Sequence, residues 1–160
     1  MERDMRRKDK QVPDKGWIDD VLTRGEYLFL GLATPDGSPY VLPIGYAYED
    51  GVILLHGASK GLKNDLIAAN PRVSFNVTLD AELMRDENGS EFSFKYRSVT
   101  GFGDASEITD IDLKNAALAS LMGHYGGPHT DITPERGRAV WVAKIVIRQV
   151  TGKCSGYPKP

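Results

Sequence analysis

Apolar residues recur along this chain with two periods, and the changes between them mark out its elements. Trp17, Ile18, Val21 and Leu22 fall at helical spacing, so Gly16–Arg24 reads as a short amphipathic helix that Gly25 ends. Tyr27–Ala33 is a dense apolar strand followed by the turn signal Thr34-Pro35-Asp36-Gly37. Tyr40–Tyr48 is its return strand, Glu49-Asp50-Gly51 a second hairpin turn, and Val52–His56 the third strand of a meander. Ser59 is placed to cap a helix running to about Ala69, with Leu62, Leu66 and Ile67 as its inner stripe and Asn70-Pro71 as its stop.

Period two returns at Arg72–Leu79, and polar Asp80–Glu91 reads as a loop or a wide hairpin. Phe92–Ala105 is a long strand with Phe92, Phe94, Tyr96 and Phe102 on one face and Lys95 and Arg97 on the other. Gly101 and Gly103 suggest a bulge or bend there. Asp110–Tyr125 is a second amphipathic helix, with Leu113, Ala117 and Leu121 as its seam and Leu118, Met122 and Tyr125 beside them. Gly126–Pro134 reads as a loop. Ala139–Val150 is apolar on both faces around Trp141, Ile145 and Ile147, as a covered central strand would be.

Six strands joined mainly by hairpins, with two or three helices, predict a mainly β (α+β) fold: a small closed or partly closed antiparallel barrel with flanking helices. Only one or two helices fall between strands, which argues against a parallel βαβ sheet. Residues 1–14 read as a charged N-terminal arm, 15–153 as the domain and 154–160 as an irregular tail. The 160 residues suit one domain, and the net charge of -2 gives no global field for nucleic acid. No apolar run reaches the roughly 18 residues of a membrane span, and the charged N-terminus lacks a secretory apolar region. The single Cys154 fits a reducing compartment, so cytoplasm is expected.

Candidate chemistry concentrates after the third strand, at His56-Gly57-Ala58-Ser59-Lys60-Gly61-Leu62-Lys63. A helix start presents unpaired N–H groups and a positive dipole end, and Lys60 and Lys63 add charge, so this stretch can seat a phosphate. The plain alternative is a capped helix with two solvated lysines. His56 reads as a packed strand-end residue, a ligand hydrogen-bond partner, a general acid, or a metal or haem ligand. His124 and His129 match no zinc spacing, and His124 suits a helix C-terminus. Pro43 cannot donate to a ladder, so its strand is at an edge or bulged there. A flat ring could then hydrogen-bond to freed backbone groups at Leu42 and Ile44, with Gly45 permitting close approach. No G-x-S-x-G elbow, P-loop or dinucleotide fingerprint is present. Cys154 reads as an incidental thiol.

Several segments taken in order resemble the pyridoxamine 5'-phosphate oxidase-like split-barrel flavoproteins, and within them the nitroimidazole-resistance branch. They are Ala33–Pro43, Tyr48–Ala58, Gly61-Leu62-Lys63 and Asn70–Phe75, then Tyr96–Ala105, Lys114 with Ala117-Leu118, and Val150–Lys153. The resemblance implies a six-stranded split barrel, a homodimer, and FMN at the dimer interface. It would place Leu42, Pro43 and Ile44 against the isoalloxazine through their backbone, and His56, Gly57 and Ala58 beside the ring and ribityl chain. Lys63, helped by Ser59 or Lys60, would hold the phosphate. Ser98 and Val99 would close the pocket, and Trp141 of the partner subunit would form a wall. The arginine-rich signatures of the vitamin B6 oxidases are not found. The implied function is an FMN-dependent oxidoreductase passing electrons or hydride to a small, nitroaromatic-type acceptor, with His56 as proton donor or as hydrogen-bond partner of the acceptor. The alternatives are a haem-binding or haem-degrading relative using His56 or His124, or a dimer that binds flavin without turnover.

Overall fold

The computed structural model describes residues 5–87, 89, 92–127, 133 and 139–160. Among these, β1 (Gln11–Val12) precedes α1 (Lys15–Arg24), and β2 (Tyr27–Ala33), β3 (Pro39–Glu49) and β4 (Val52–Ala58) form the expected meander. Then follow α2 (Leu62–Ala69), β5 (Arg72–Met84), β6 (Ser93–Glu107), α3 (Ile111–His124) and β7 (Val140–Ser155). The strands are ordered β1-β7-β4-β3-β2-β5-β6, and β6 also pairs with β7. That last pairing closes six strands into an antiparallel ring, the split β-barrel, with β1 added outside it. His129 and most of the expected 126–134 loop lie outside the described residues, as do Asn88 and Glu91.

Strand alternation sorts the side chains into two cores. Leu28, Leu30, Tyr46, Ile53, Leu55, Phe75, Val77, Val99, Ala143 and Ile145 fill the barrel, joined by Ile18, Val21 and Leu22 of α1 and Leu66 and Ile67 of α2. Each buried Leu, Ile, Val or Phe among them contributes roughly 1.5–3 kcal/mol of transfer free energy. The opposite face of β3, β4 and β7 presents Ala47, Leu54 and Val142, which α3 covers with Ala117, Leu118 and Leu121. The α3 seam differs from expectation by one residue. Leu113 is 62% exposed, and the fourth inward position is Lys114 at 8%. Lys114, Ala117, Leu118 and Leu121 form the i, i+3, i+4, i+7 stripe, so the helix is rotated from the all-leucine choice.

Further boundaries move outward. β5 continues to Met84 through a register shift between Leu79 and Glu82, where Asp80 takes φ +52°. β7 continues past Val150 to Ser155, so Cys154 and Ser155 are strand rather than irregular tail, and Cys154 is buried with Sγ 3.5 Å from the Tyr157 carbonyl. Gln11–Val12 pairs with Gly152–Lys153, which fixes part of the N-terminal arm. The glycines of β6 act as expected: the register with β7 shifts between Phe102 and Gly103, and Gly101 leaves room for the Phe75 ring. The face bearing Phe94 and Phe102 is the outer, exposed one.

Gly25 ends α1 for a reason other than a left-handed turn, since its φ is -70°. A Cβ there would run into the Tyr46 hydroxyl and lie 2.6 Å from a Val77 methyl. That hydroxyl donates to the Leu22 carbonyl at 2.5 Å, which satisfies an orphan carbonyl of the α1 C-terminus. Gly25→Ala is therefore expected to lower the urea-unfolding free energy by about 1–3 kcal/mol. Gly16→Ala, with its nearest neighbour at 3.4 Å in the same helix, should be neutral or stabilising.

Candidate functional site

β3 changes partner along its length. Pro39–Gly45 pairs with β2, and Tyr46–Glu49 pairs with β4. On β4, His56–Ala58 continues to pair with β7 but has no partner in β3. The barrel is thus split between Pro39–Gly45 and His56–Ala58, with an open backbone edge on each side.

Which groups face the split follows from alternation. Thr34 N–H donates to Ser38 O, and Tyr46 N–H points toward β2, where the Tyr125 hydroxyl bridges it to Glu26 O. Residues of the same parity, including Leu42 and Ile44, therefore direct their N–H and C=O groups to β2. This corrects the expectation that Leu42 and Ile44 supply the freed groups. Val41, Pro43 and Gly45 face the gap, and Pro43 sits where its missing donor breaks no ladder bond. Leu42 and Ile44 instead pack half-buried against the barrel core. By the same count His56 and Ala58 direct backbone groups into the gap from β4.

The mouth of the split leads to α2. That helix begins at Leu62 with Gly61 as its N-cap, and no side chain caps it. Ser59 does not serve as the expected cap, and both Ser59 and Lys60 are exposed. Gly61 takes φ +148°, which an L side chain resists, and so the helix starts after it. Asn64 reaches back to donate to the Ala58 carbonyl at 3.1 Å and accepts from Lys63 Nζ at 2.9 Å. Lys63 Nζ lies 3.4 Å from the centre of the Trp141 ring. Gly57 is the register partner of Trp141, and a Cβ at Gly57 would stand 3.2 Å from Nζ. No carboxylate pairs with Lys63 among the described residues, and burial lowers its pKa to about 8. Trp141 is 4% exposed and belongs to the barrel core of its own chain.

His56 projects from the other face of β4. It lines a recess of about 130 Å³ with Leu118, Leu121, Met122 and Tyr125. Its ring has no hydrogen-bond partner among the described residues. His124 is committed elsewhere: its Nε2 donates to Gly25 O at 2.7 Å, and its ring lies tilted beside Tyr46 and edge-to-face with Tyr125. A side chain from the last turn of α3 thus satisfies the carbonyl where α1 ends.

Ser98 and Val99 are not brought to this cluster. Val99 is wholly buried in the barrel core, and Ser98 pairs with Lys153, whereas Gly57 pairs with Trp141. The twelve residue steps from Trp141 to Lys153 span roughly 40 Å of strand, which no single small ligand bridges. Two residues of the site carry no functional signal in the sequence. Asn64 has none beyond its place beside Lys63. Tyr125 has only that of an apolar helix position.

The sequence profile of the pyridoxamine 5'-phosphate oxidase family matches residues 14–154. The chain belongs to that family. Among solved structures it is similar to a candidate 5-nitroimidazole antibiotic resistance protein from Bacteroides thetaiotaomicron, at 27% identity and TM-score 0.81, over 89% of this chain and 85% of that one. An FAD- and heme-binding protein from Mycobacterium smegmatis has the same fold at 23% identity and TM-score 0.83, over 94% and 76% of the two chains. So does the flavocytochrome Anf3 from Azotobacter vinelandii, at 20% identity and TM-score 0.82, over 98% and 74%. No curated protein matches it.

A phosphorylated flavin, the cofactor implied for this oxidase-family chain, suits the groups present. The split offers backbone donors and acceptors to a flat heterocycle. Lys63 is an ammonium without a counter-charge, beside the uncapped first turn of α2. Asp65 in that turn opposes an anion, so Lys63 is the stronger attraction. Among the described residues no helix is long and apolar enough to cross a membrane. The Tyr125 hydroxyl, accepting from Tyr46 N–H at 2.8 Å and donating to Glu26 O at 2.7 Å, braces the point where β3 changes partner. Tyr125→Phe leaves both groups unpaired and should cost about 1–3 kcal/mol, with faster hydrogen exchange at the Tyr46 amide. An unchanged exchange rate would contradict the brace.

Proposed function

We propose that this chain is an FMN-dependent oxidoreductase that passes electrons or hydride to a small acceptor of nitroaromatic type. The observation carrying the proposal is the split with Lys63 at its mouth. Gly45, the Pro43 carbonyl and the His56 backbone would meet the ring edge, while Leu42 and Ile44 hold the strand from the core side. Gly57 and Ala58 would border the ribityl chain, Lys63 would hold the phosphate, and exposed Ser59 and Lys60 would flank it. Bound FMN would supply the redox chemistry, and the protein its binding, orientation and electrostatics. His56 would present a proton to an acceptor in the recess it lines. The 27% identity to the candidate nitroimidazole resistance protein supports that class of acceptor.

The active unit would be a homodimer in the cytoplasm. Tyr27, Phe29, Val41 and Phe102 form an exposed apolar group on the outer face of β2, β3 and β6, as a subunit interface requires. A second copy would also allow Ser98 to approach a cofactor held by Lys63 of the first, with Val99 supporting it from the core. Phe29→Asp should shift the sedimenting species from dimer to monomer. A wild-type protein that sediments as a monomer at micromolar concentration would contradict the assembly.

Protein purified without added cofactor should show a flavin absorption spectrum, and the released flavin should be FMN. Colourless protein that takes up no FMN from excess would overturn the proposal, and a Soret band would indicate haem. His56→Ala should keep the flavin and lose turnover by about 10²-fold or more. Lys63→Ala should weaken FMN binding. The pH dependence has a definite sign. Burial lowers Lys63 from 10.5 to about 8 in the free protein, so its charge is lost as pH rises through about 8. FMN affinity should be flat from about pH 7, where the phosphate is fully ionised, to that pH and fall by up to ~10-fold per unit above it, with proton uptake on binding at pH 9. A flat profile to pH 10 by calorimetry would exclude Lys63 as the phosphate ligand.

A further inference from the structure

We infer that Trp141, Gly57 and Asn64 form a seat that holds the Lys63 ammonium where an incoming phosphate needs it, so that Trp141 is a positioning residue and not a cofactor wall. This rests on the reading of Lys63 as the phosphate ligand. A lysine has four rotatable bonds and is ordinarily a loosely placed charge. Here three neighbours fix it. The indole face takes the ammonium at 3.4 Å from its centre. Asn64 Oδ1 accepts from it at 2.9 Å, and Asn64 is itself tied to the Ala58 carbonyl at 3.1 Å. Gly57 leaves the space, since a Cβ would stand 3.2 Å from Nζ and 3.5 Å from Cε.

The register explains how the three converge. Gly57 and Trp141 are partners across β4 and β7, so the missing side chain of one lies beside the large ring of the other. Lys63 comes over both from the first turn of α2. The seat is neutral throughout. A carboxylate would fix the ammonium as firmly but would compete with a phosphate for it. An aromatic face and an amide oxygen orient the charge and leave it uncompensated. The Lys63 pKa, depressed by burial, is consistent with an ammonium kept poised without an ion-pair partner.

The test compares the affinity of the full-length protein for FMN with that for riboflavin, which lacks the phosphate. A residue that only supports the fold moves both affinities together, whereas a seat for Lys63 moves their ratio. Trp141→Leu should cut the FMN preference by ~10-fold or more, and Trp141→Phe, which keeps an aromatic face, should retain most of it. Asn64→Ala, which removes the amide oxygen that accepts from Lys63 Nζ, should reproduce the loss with the indole intact, and it decides the matter if Trp141→Leu loses riboflavin as well. Full FMN preference in both Trp141→Leu and Asn64→Ala would overturn the seat. Full preference in Lys63→Ala would overturn the phosphate assignment itself, and the seat with it.

Discussion

A barrel strand must satisfy its backbone on both edges, and the ring leaves ladders short in two places: β2 meets β5 over only three residue pairs, and β3 leaves β4 after four. Seven residues of β3 pair with β2 and the next four with β4. The closure of β6 on β7 over twelve residue pairs holds the ring while that gap stays open. The Pro43 and Gly45 backbone and Lys63 lie at the gap or at its mouth, while the His56 ring points to the opposite face of β4. Pro43 stands where no donor is needed, Gly45 where the strand changes partner, and α2 begins where β4 ends. The site is what remains when one ladder in the ring is left incomplete.

The helices take the roles that this gap leaves to them. α1 and α2 contribute to the barrel core, while α3 lies outside it and reaches back through its last residues. His124 and Tyr125 bond to the carbonyls of Gly25 and Glu26, and so connect the end of α3 to the junction of α1 and β2. The recess at His56 is walled by that same end of α3. Tyr125 belongs both to the junction and to the wall of the recess, so a change there alters the two together.

Much of this was legible in the sequence because the fold is made of short-range steps. The meander from Tyr27 to Ala58 was announced by its turn residues, and the structure bears these out: Gly37, Asp50 and Gly51 all have positive φ. The six-stranded barrel followed from strand count and hairpin connections. What could not be read was direction. Period two says that neighbouring residues point opposite ways but not which edge of the backbone is free, so the open groups were assigned to Leu42 and Ile44. Nor does a helical stripe distinguish Leu113 from Lys114, whose long apolar stem can lie in a buried seam. Ser59 looked like a cap because serine usually is one, but the tertiary path put an unusual backbone angle at Gly61. Trp141 was identified as important, yet its company, Lys63 and Gly57, is a matter of register across two strands.

The way β3 divides itself between two neighbours has a consequence for how such a slot can vary. Backbone groups face a given edge only at every second residue. The junction between the two ladders can therefore move along β3 only in steps of two residues, or about 6.6 Å. A one-residue displacement would turn core side chains outward and is forbidden by the barrel. The depth of the opening is thus quantised by the pleat. A descendant of this chain could lengthen or shorten its slot by whole rungs, while finer adjustment would have to come from side chains such as Tyr125.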